Sequence, residues 1–416
     1  MSPYELVLEF ARANDAGEPF AFRFEEQEYQ LRWEGGVFES APFPWSPRVL
    51  ADLEKAAPDR SAVQRLGNHL LGVLGRLDWG RHEAAIEEAL AAGREVRLTV
   101  RSAAAEVYAL PWELLTLKGA GQHLGEFPGC TPRYEWPRQR VPSRTPPPGQ
   151  KGRILFAWSS AGGGVPADAH QRAISRACAA GNLDFDAGRD VLSHVSLHGL
   201  SEALAVGGDS ISVLHLLCHG GRSEAGVMGL WFEASAEGGE PRLVDGAMLR
   251  QVLAPHVGRL RMVVRSACRS GSAGEVGSHL GSVAQELHRV GVPAVVASRL
   301  PLSVPGSIVL TEVLYGELLE GLSSLERALG EARRRLVLEG PHLDWASLQL
   351  YANAEDAPDT RPVAIRPYRG LLPFEARHRR FFFGREALSQ QLLQRVREAA
   401  TGRAPRLHGV TVHPGI

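Results

Sequence analysis

Cysteine is scarce in this chain of 416 residues, which has only Cys130, Cys178, Cys218 and Cys268. No two of them form a C-x-x-C pair, so the sequence indicates neither a zinc site nor a dithiol redox motif. We expect a protein that needs no metal and no cofactor. So few thiols in so long a chain are typical of a reducing compartment, and we expect a cytoplasmic protein.

Net charge and long apolar runs are also missing. The 46 basic and 47 acidic residues give a formal net charge of −1, which favours neither nucleic acid nor an acidic surface as a partner. No uncharged apolar run reaches the roughly 18 residues that span a bilayer. The first residues lack the basic and apolar segments of a signal peptide. We therefore expect no nucleic-acid partner and no membrane partner.

Two apolar runs that end in reactive side chains are the most informative features present. Ser212–Cys218 leads into His219 and Gly220, and Arg261–Ala267 leads into Cys268. Both runs are typical of buried parallel strands, whose carboxyl ends collect ligands and chemistry in open sheets. A histidine at one end and a cysteine at another supply a thiol nucleophile with a base, and backbone N–H groups there can hold an oxyanion.

The periodicity of the chain changes along its length. Residues 1–40 alternate apolar and polar positions, which predicts an antiparallel β-meander, and residues 48–93 have helical spacing. From residue 151 onward, predicted strands alternate with predicted helices, which favours a mainly parallel sheet with helices on both faces. Leu348–Tyr351 is predicted to be the last strand, at an edge of that sheet.

These motifs resemble the CHAT family of caspase-like, clan CD cysteine peptidases, which are related to caspases and separases. Leu216–Gly220 and Val264–Gly271 resemble the two signature blocks of that family. Three supporting blocks follow the family order, and the resemblance covers about residues 1–352. The supporting blocks are Ala109–Leu115, Gly291–Ser298 and Ala328–Arg335.

The resemblance implies a fold and a division of the chain. The expected fold class is α/β, with a caspase-like, mainly parallel sheet flanked by helices and an N-terminal β-meander plus helical pseudo-caspase half. Five segments are expected: the N-terminal part of the CHAT domain, a proline-rich connector, the caspase-like catalytic unit, a linker and a further module. Their ranges are 1–136, 137–150, 151–353, 354–366 and 367–416.

The last of these segments resembles a second family. Pro367–Phe374 and Phe381–Glu386 are similar to the start of a STAND-type NTPase region of bacterial conflict systems. The phosphate-binding pattern G-x-x-x-x-G-K-[ST] does not follow within the sequence. We therefore expect this truncated piece not to bind nucleotide.

The resemblance also implies a mechanism. Cys268 is expected to be the nucleophile and His219 the base, 49 residues before it, close to the spacing of about 50 in caspases. The N–H groups of Gly220 and Cys268 are expected to hold the oxyanion. An ordinary thiol, with a pKa near 8.5, is mostly protonated at pH 7, so an adjacent imidazole or helix N-terminus must assist. No third acidic residue is evident, and a backbone carbonyl often orients the histidine in the resembling families.

Specificity is where the sequence departs from the family. Leu300 stands where relatives often have a tryptophan, and Ser303 and Val304 stand where they often have an acid. We therefore expect an apolar or small residue, and not a basic one, before the scissile bond. Asp245 offers a carboxylate but is placed to cap the helix that follows it. Arg265 and Arg269 flank the cysteine and favour either an acidic substrate residue or a larger thiolate population.

The biological role follows only from the resemblance. A CHAT peptidase joined to a STAND module implies an effector of bacterial defence or programmed cell death that cuts a protein such as a gasdermin-like pore former, under an unknown activating partner. One alternative is a catalytically inactive CHAT scaffold that serves as a protein-interaction module. Another is a nucleotide- or small-ligand-binding module with Gly162–Gly164 or Gly207–Gly208 as its phosphate loop, although neither has the G-x-G-x-x-G spacing.

Overall fold

The computed structural model divides into two compact units, residues 1–365 and residues 366–416, and each is described by itself. The described residues are 2–13, 23–33, 35–54, 59–137, 152–207, 210–224, 227–235, 239–268, 280–300, 302–339, 343–353, 362–363 and 386–401. The predicted connector beyond residue 137, nearly all of the predicted linker, and the STAND-like motifs before Glu386 lie outside this part of the chain.

The N-terminal part of the first unit contains a meander, three helices and a return to the sheet. Its strands are β1 (Tyr4–Arg12), β2 (Tyr29–Trp33), β3 (Glu39–Ala41), β4 (Val96–Ser102), β5 (Thr116–Leu117), β6 (Gln122–His123) and β7 (Cys130–Glu135). Its α-helices are α1 (Pro47–Glu54), α2 (Arg60–Leu74) and α3 (Trp79–Ala91). Short 3-10 turns cover Ala105–Ala109, Trp112–Leu114 and Leu124–Glu126.

Helix α2 shows how local sequence sets these elements. Asp59 precedes the helix with extended backbone, and its carboxylate accepts a hydrogen bond from Ala62 N at 2.6 Å. This N-cap satisfies one of the amide groups that lack a partner within the helix. Leu66 and Leu70 then recur at helical spacing and are buried against the core. The helical spacing predicted for residues 48–93 is confirmed.

The rest of the first unit alternates strands and helices. Its strands are β8 (Arg153–Trp158), β9 (Val191–Leu192), β10 (Ile211–Arg222), β11 (Met228–Phe232), β12 (Arg242–Asp245), β13 (Met262–Cys268), β14 (Ala294–Ser298) and β15 (Leu348–Ala352). Its α-helices are α4 (Ala167–Ala180), α5 (Ala187–Asp190), α6 (Leu197–Val206), α7 (Gly246–Leu253), α8 (Leu280–Arg289), α9 (Val304–Tyr315) and α10 (Leu325–Glu339). Two 3-10 turns cover Ala254–His256 and Asp344–Ser347, and a π-helical turn covers Gly316–Glu320.

One large sheet runs through the unit and, among the described residues, has 13 strands. Its main path is β12-β11-β10-β13-β14-β15-β7-β4-β1-β2-β3, with β8 beside β10 and β9 beside β8. The neighbours β8, β10, β13 and β14 are parallel, as are β15, β7, β4 and β1. The predicted α/β class, a mainly parallel sheet flanked by helices, is confirmed.

Strand β15 corrects one prediction about that sheet. It pairs antiparallel with β14 on one side and parallel with β7 on the other. The prediction that Leu348–Tyr351 forms an edge strand is therefore wrong. The strand lies in the interior, where it joins the N-terminal strands to the strands that carry His219 and Cys268.

Helices cover both faces of the sheet. On the face of His215, α4 and α9 approach β10, since His170 and Tyr315 hydrogen-bond to the His215 ring. On the other face, His288 of α8 contacts Tyr351 of β15. Within the described part of the chain, no helix is long and apolar enough to cross a bilayer. In the second unit, the structure describes one helix, α11 (Glu386–Ala400).

The histidine pair between α4 and β10 is buried and uncharged. His170 Nδ1 lies 3.3 Å from His215 Nε2, and the Thr311 hydroxyl lies 2.9 Å from the same His170 nitrogen. Burial lowers the pKa of His170 to about 4. Burial, together with repulsion from His170, lowers the pKa of His215 well below 6.5.

We expect the free energy of unfolding to fall as pH is lowered from about 6.5 towards 4. The imidazoles are neutral when folded and take up protons when unfolded, so their stabilisation is complete above pH 6.5 and is lost below it. His170 alone accounts for on the order of 3 kcal/mol. Urea unfolding from pH 7.5 to 4.5 measures this slope. His170→Gln should reduce it, while His198→Gln, at an exposed position, should leave it as in wild type. A flat profile would contradict this expectation.

Candidate active site

His219 and Cys268 occupy partnered positions on adjacent parallel strands. The register of β10 and β13 pairs Val213 with Met262 and continues without a shift to His219 and Cys268. Neighbouring strands lie about 4.8 Å apart, so the two backbones are near neighbours. Cys268 is the last residue of β13, and its thiol lies outside the described part of the structure. Partnered positions on adjacent strands share a face of the sheet, so positions 219 and 268 share one.

A backbone carbonyl orients the imidazole of His219. The ring is buried, with 4% of the residue exposed, and its Nε2 donates a hydrogen bond to Gly164 O at 3.2 Å. A carbonyl can only accept, so Nε2 carries the proton and the neutral ring has its lone pair on Nδ1. Nδ1 is therefore the nitrogen that can act as a base.

The turn after β8 lies directly against this ring. Gly162 and Gly163 have φ values of +87° and +138°, which side-chain-bearing residues rarely adopt. A Cβ on Gly163 would lie 3.2 Å from His219 Nε2. The glycines suggested as a phosphate loop thus allow close packing on the imidazole. The second glycine pair suggested as a phosphate loop is Gly207–Gly208. Gly207 follows α6, and Gly208 lies outside the described residues.

Gly163→Ala is expected to lower kcat/KM for peptide hydrolysis by about 10- to 100-fold, because the new methyl group displaces the imidazole. Gly164→Ala is the matched control, since a Cβ there meets open space and the accepting carbonyl remains. It should retain most of the activity. Steady-state kinetics on one fluorogenic peptide compares the two variants, and equal losses would contradict this role of the turn.

Arg265 lies in the sheet interior, away from His219. Its strand partner is Leu216, three positions before His219, and strand residues alternate between faces, so Arg265 and His219 are on opposite faces. The guanidinium is fully buried and donates to Ser298 O at 2.7 Å, and burial lowers its pKa to about 10. This buried position does not favour contact between Arg265 and a substrate, and the role of Arg265 stays a prediction. Arg269 lies outside the described residues.

Other predicted pocket residues are occupied in building the fold. Ser303 caps α9, accepting from Gly306 N at 3.0 Å and donating to Asp344 at 2.5 Å. Asp245 caps α7 by accepting from Met248 N at 2.8 Å, as its position before that helix predicts. These two side chains are engaged in caps and are not placed to select a substrate residue.

Leu300 and Gly220 remain as predicted site positions. Leu300 is buried, with 5% exposed. Gly220 lies within β10, where it partners Leu230 of β11. The part assigned to the Gly220 N–H group in holding an oxyanion stays a prediction.

Sequence reasoning missed two residues near His219, both on the chain segment that returns beside β10. The pairing of Gly221 with Gly229 puts Trp231 and Glu233 on the His219 face. A Cβ on Gly221 would collide with the Trp231 indole, and one on Gly162 would lie 3.2 Å from Trp231 Cδ1 and 3.4 Å from His219 Cβ. The indole therefore lies beside the imidazole. In the sequence, the signal for this placement was that side chains alternate between faces along a strand, which puts Trp231 and Glu233 on the same face.

Glu233 carries a negative charge on the same face as the Trp231 indole. Its Oε1 accepts from Ser160 N at 3.0 Å, from the Ser160 hydroxyl at 3.0 Å and from the Ser159 hydroxyl at 3.3 Å. Burial alone would raise the carboxyl pKa, but these hydrogen bonds outweigh it and hold the pKa below its ordinary value. The carboxylate is ionised at neutral pH. No metal-binding group of three or more His, Cys, Asp or Glu occurs within the described residues.

Comparison with known families identifies the family of this chain. The family model described as "CHAT domain" matches residues 64–353, which is more than half of the chain. The chain belongs to the CHAT family. A second model, "Novel STAND NTPase 1", matches residues 367–412. The predicted resemblance, a CHAT domain followed by the start of a STAND region, is confirmed.

Two solved structures show more distant likeness to this CHAT protein, and no curated protein matches its sequence. The separase–securin complex of Saccharomyces cerevisiae has a TM-score of 0.34 and 13% identity over 62% of this chain. That match spans 15% of the separase chain. The PfkB protein of Polaromonas sp. JS666 has a TM-score of 0.20 and 10% identity, over 79% of this chain and 90% of its own.

Proposed function

We propose that this CHAT protein is a cysteine endopeptidase that cuts a protein partner with a Cys268–His219 dyad. The observation that carries the proposal is the unshifted register that makes these residues partners on adjacent strands. The hydrogen bond from His219 Nε2 to Gly164 O supports it, because it leaves Nδ1 as the basic nitrogen.

The proposed reaction has two stages. The Cys268 thiol gives its proton to His219 Nδ1, and the thiolate attacks the peptide carbonyl carbon to form a tetrahedral oxyanion. As that intermediate collapses, the C–N bond breaks and the amine leaves with the proton from the imidazolium, which yields a thioester. Water then loses a proton to Nδ1 and attacks the thioester, releasing the carboxylic acid and the thiol.

The proposed setting is the cytoplasm of a bacterium, in defence or programmed cell death. The STAND match after the CHAT domain supports a defence role, and the free, buried cysteines Cys130 and Cys178 support a reducing compartment. The proposed substrate is a protein, for example a gasdermin-like pore former. The alternative is an inactive CHAT scaffold. Because the chain has a cysteine and a histidine at the two dyad positions in either case, only an assay of activity separates the scaffold from the peptidase.

A peptide-based electrophile and a fluorogenic peptide library test the proposal together. We expect the electrophile to modify one residue, with mass spectrometry locating it at Cys268, and at least one peptide to be hydrolysed. Prior labelling should block hydrolysis. Modification elsewhere, or no modification and no hydrolysis across the library, would favour the inactive scaffold.

A further inference from the structure

We propose that Trp231 and Glu233 form a binding subsite for a basic side chain of the substrate, beside His219. The inference rests on the proposed peptidase function and names its substrate class. It also departs from the expectation that the site lacks a carboxylate for a basic residue. Neither Leu300 nor Ser303 is an acid, and the carboxylate of nearby Asp344 accepts hydrogen bonds from Ser303 at the start of α9. The segment that follows the histidine strand supplies a carboxylate in a different place.

The first support is position. Trp231 and Glu233 are two residues apart, so they project from one face of the chain, and the register with β10 makes it the face of His219. The indole is half-buried and packs over Gly221, where any side chain would collide with it. Its partly exposed ring and the carboxylate therefore form a wall on the same face of the sheet as the imidazole.

The second support is the way in which Glu233 is held. Its backbone N–H donates to Val195 O at 2.9 Å, and the hydrogen bonds that its carboxylate accepts from Ser159 and Ser160 all reach Oε1. Oε2 accepts none from the described part of the chain. The side chain is 24% exposed, so one carboxylate oxygen is fixed to the fold while the other remains available to a donor from outside.

The third support is charge. Within the described residues, no arginine or lysine forms an ion pair with Glu233. His194 is a basic neighbour that can lose its charge: its Nδ1 lies 3.6 Å from Oε1 and its side chain is 61% exposed. A partly buried carboxylate without a permanent counter-charge favours a cationic ligand. A guanidinium suits this wall, because it can donate to Oε2 and lie flat on an indole.

Positional scanning with paired peptides tests the subsite. At each position around the scissile bond, peptides carry either arginine or citrulline, which keeps the shape but removes the charge. At one position, we expect wild type to favour arginine by at least about tenfold in kcat/KM. Glu233→Gln should bring that ratio close to one. Glu240→Gln, which removes an exposed charge from the loop after β11, is the matched control and should keep the wild-type ratio.

Binding to a Cys268→Ala variant separates this inference from the peptidase proposal. Fluorescence polarisation with the same peptides needs no turnover, so a scaffold without activity would still bind arginine over citrulline if the subsite exists. In that background, Trp231→Ala should weaken arginine binding and Trp231→Phe should restore most of it. No preference for arginine in either assay, or equal effects of Glu233→Gln and Glu240→Gln, would overturn the subsite. Preference in binding without hydrolysis would overturn the peptidase function alone.

Discussion

Cys268→Ala is expected to lower kcat/KM for peptide hydrolysis by about 10³-fold or more. In the proposed mechanism the thiolate forms the covalent intermediate, so removal of this nucleophile leaves only binding and oxyanion contacts. Fluorogenic peptide kinetics measures the loss. Circular dichroism and thermal unfolding establish that the variant is folded.

Cys218→Ala is the matched control for that experiment. Cys218 directly precedes His219 and is fully buried, and alternation along β10 places it on the opposite face. We expect it to keep most of its activity and to lose about 1 kcal/mol of stability. Comparable losses of activity in both variants, or substantial activity in Cys268→Ala, would show that the nucleophile is misassigned.

Glu113→Ala is expected to destabilise the folded unit by about 3–5 kcal/mol. The Glu113 carboxylate is buried and accepts hydrogen bonds from the Tyr134 hydroxyl at 2.7 Å and from Arg333 Nη2 at 3.3 Å. Burial raises the pKa of Glu113, and Arg333 and Tyr134 act against that shift. Without the carboxylate, a buried guanidinium has lost its counter-charge. Urea unfolding at pH 7 measures the change.

Glu331→Ala removes a comparable ion pair from the surface. Glu331 and Arg334 lie on α10, where solvent screens both side chains, so their pairing should contribute little to stability. Arg333 also donates to Leu348 O of β15 at 2.8 Å, so loss of Glu113 should loosen the strand that joins the two parts of the sheet. Equal destabilisation by the two substitutions would contradict this account.

The sequence was most informative where local pattern decides structure. Strands β10 and β13 are predictable because strands buried on both faces are continuous apolar runs. Strand β15 was recognised as a strand but placed wrongly at an edge. The sequence of this short strand does not indicate which strands pair with it, because its partners β14 and β7 come from segments far apart in the chain.

The residues of the candidate site also divide into those that local sequence could predict and those that it could not. The neighbouring positions of His219 and Cys268 were predictable because each follows an apolar run that forms a parallel strand, and their catalytic roles stay a prediction. Glu233 and Trp231 were missed because only the register between β10 and β11 brings them to the His219 face. The role of the glycine turn was missed too, since its pattern does not reveal that the packing partner is an imidazole 55 residues later.

The rate of Cys268 alkylation by iodoacetamide as a function of pH tests the central claim most directly, with wild type compared to His219→Ala. If the imidazole shares the proton of the thiol, wild type should react with a midpoint well below the ordinary thiol pKa of about 8.5, and His219→Ala should return the midpoint to that value or above. Mass spectrometry assigns the modified residue. The same ordinary midpoint in both proteins would contradict the dyad.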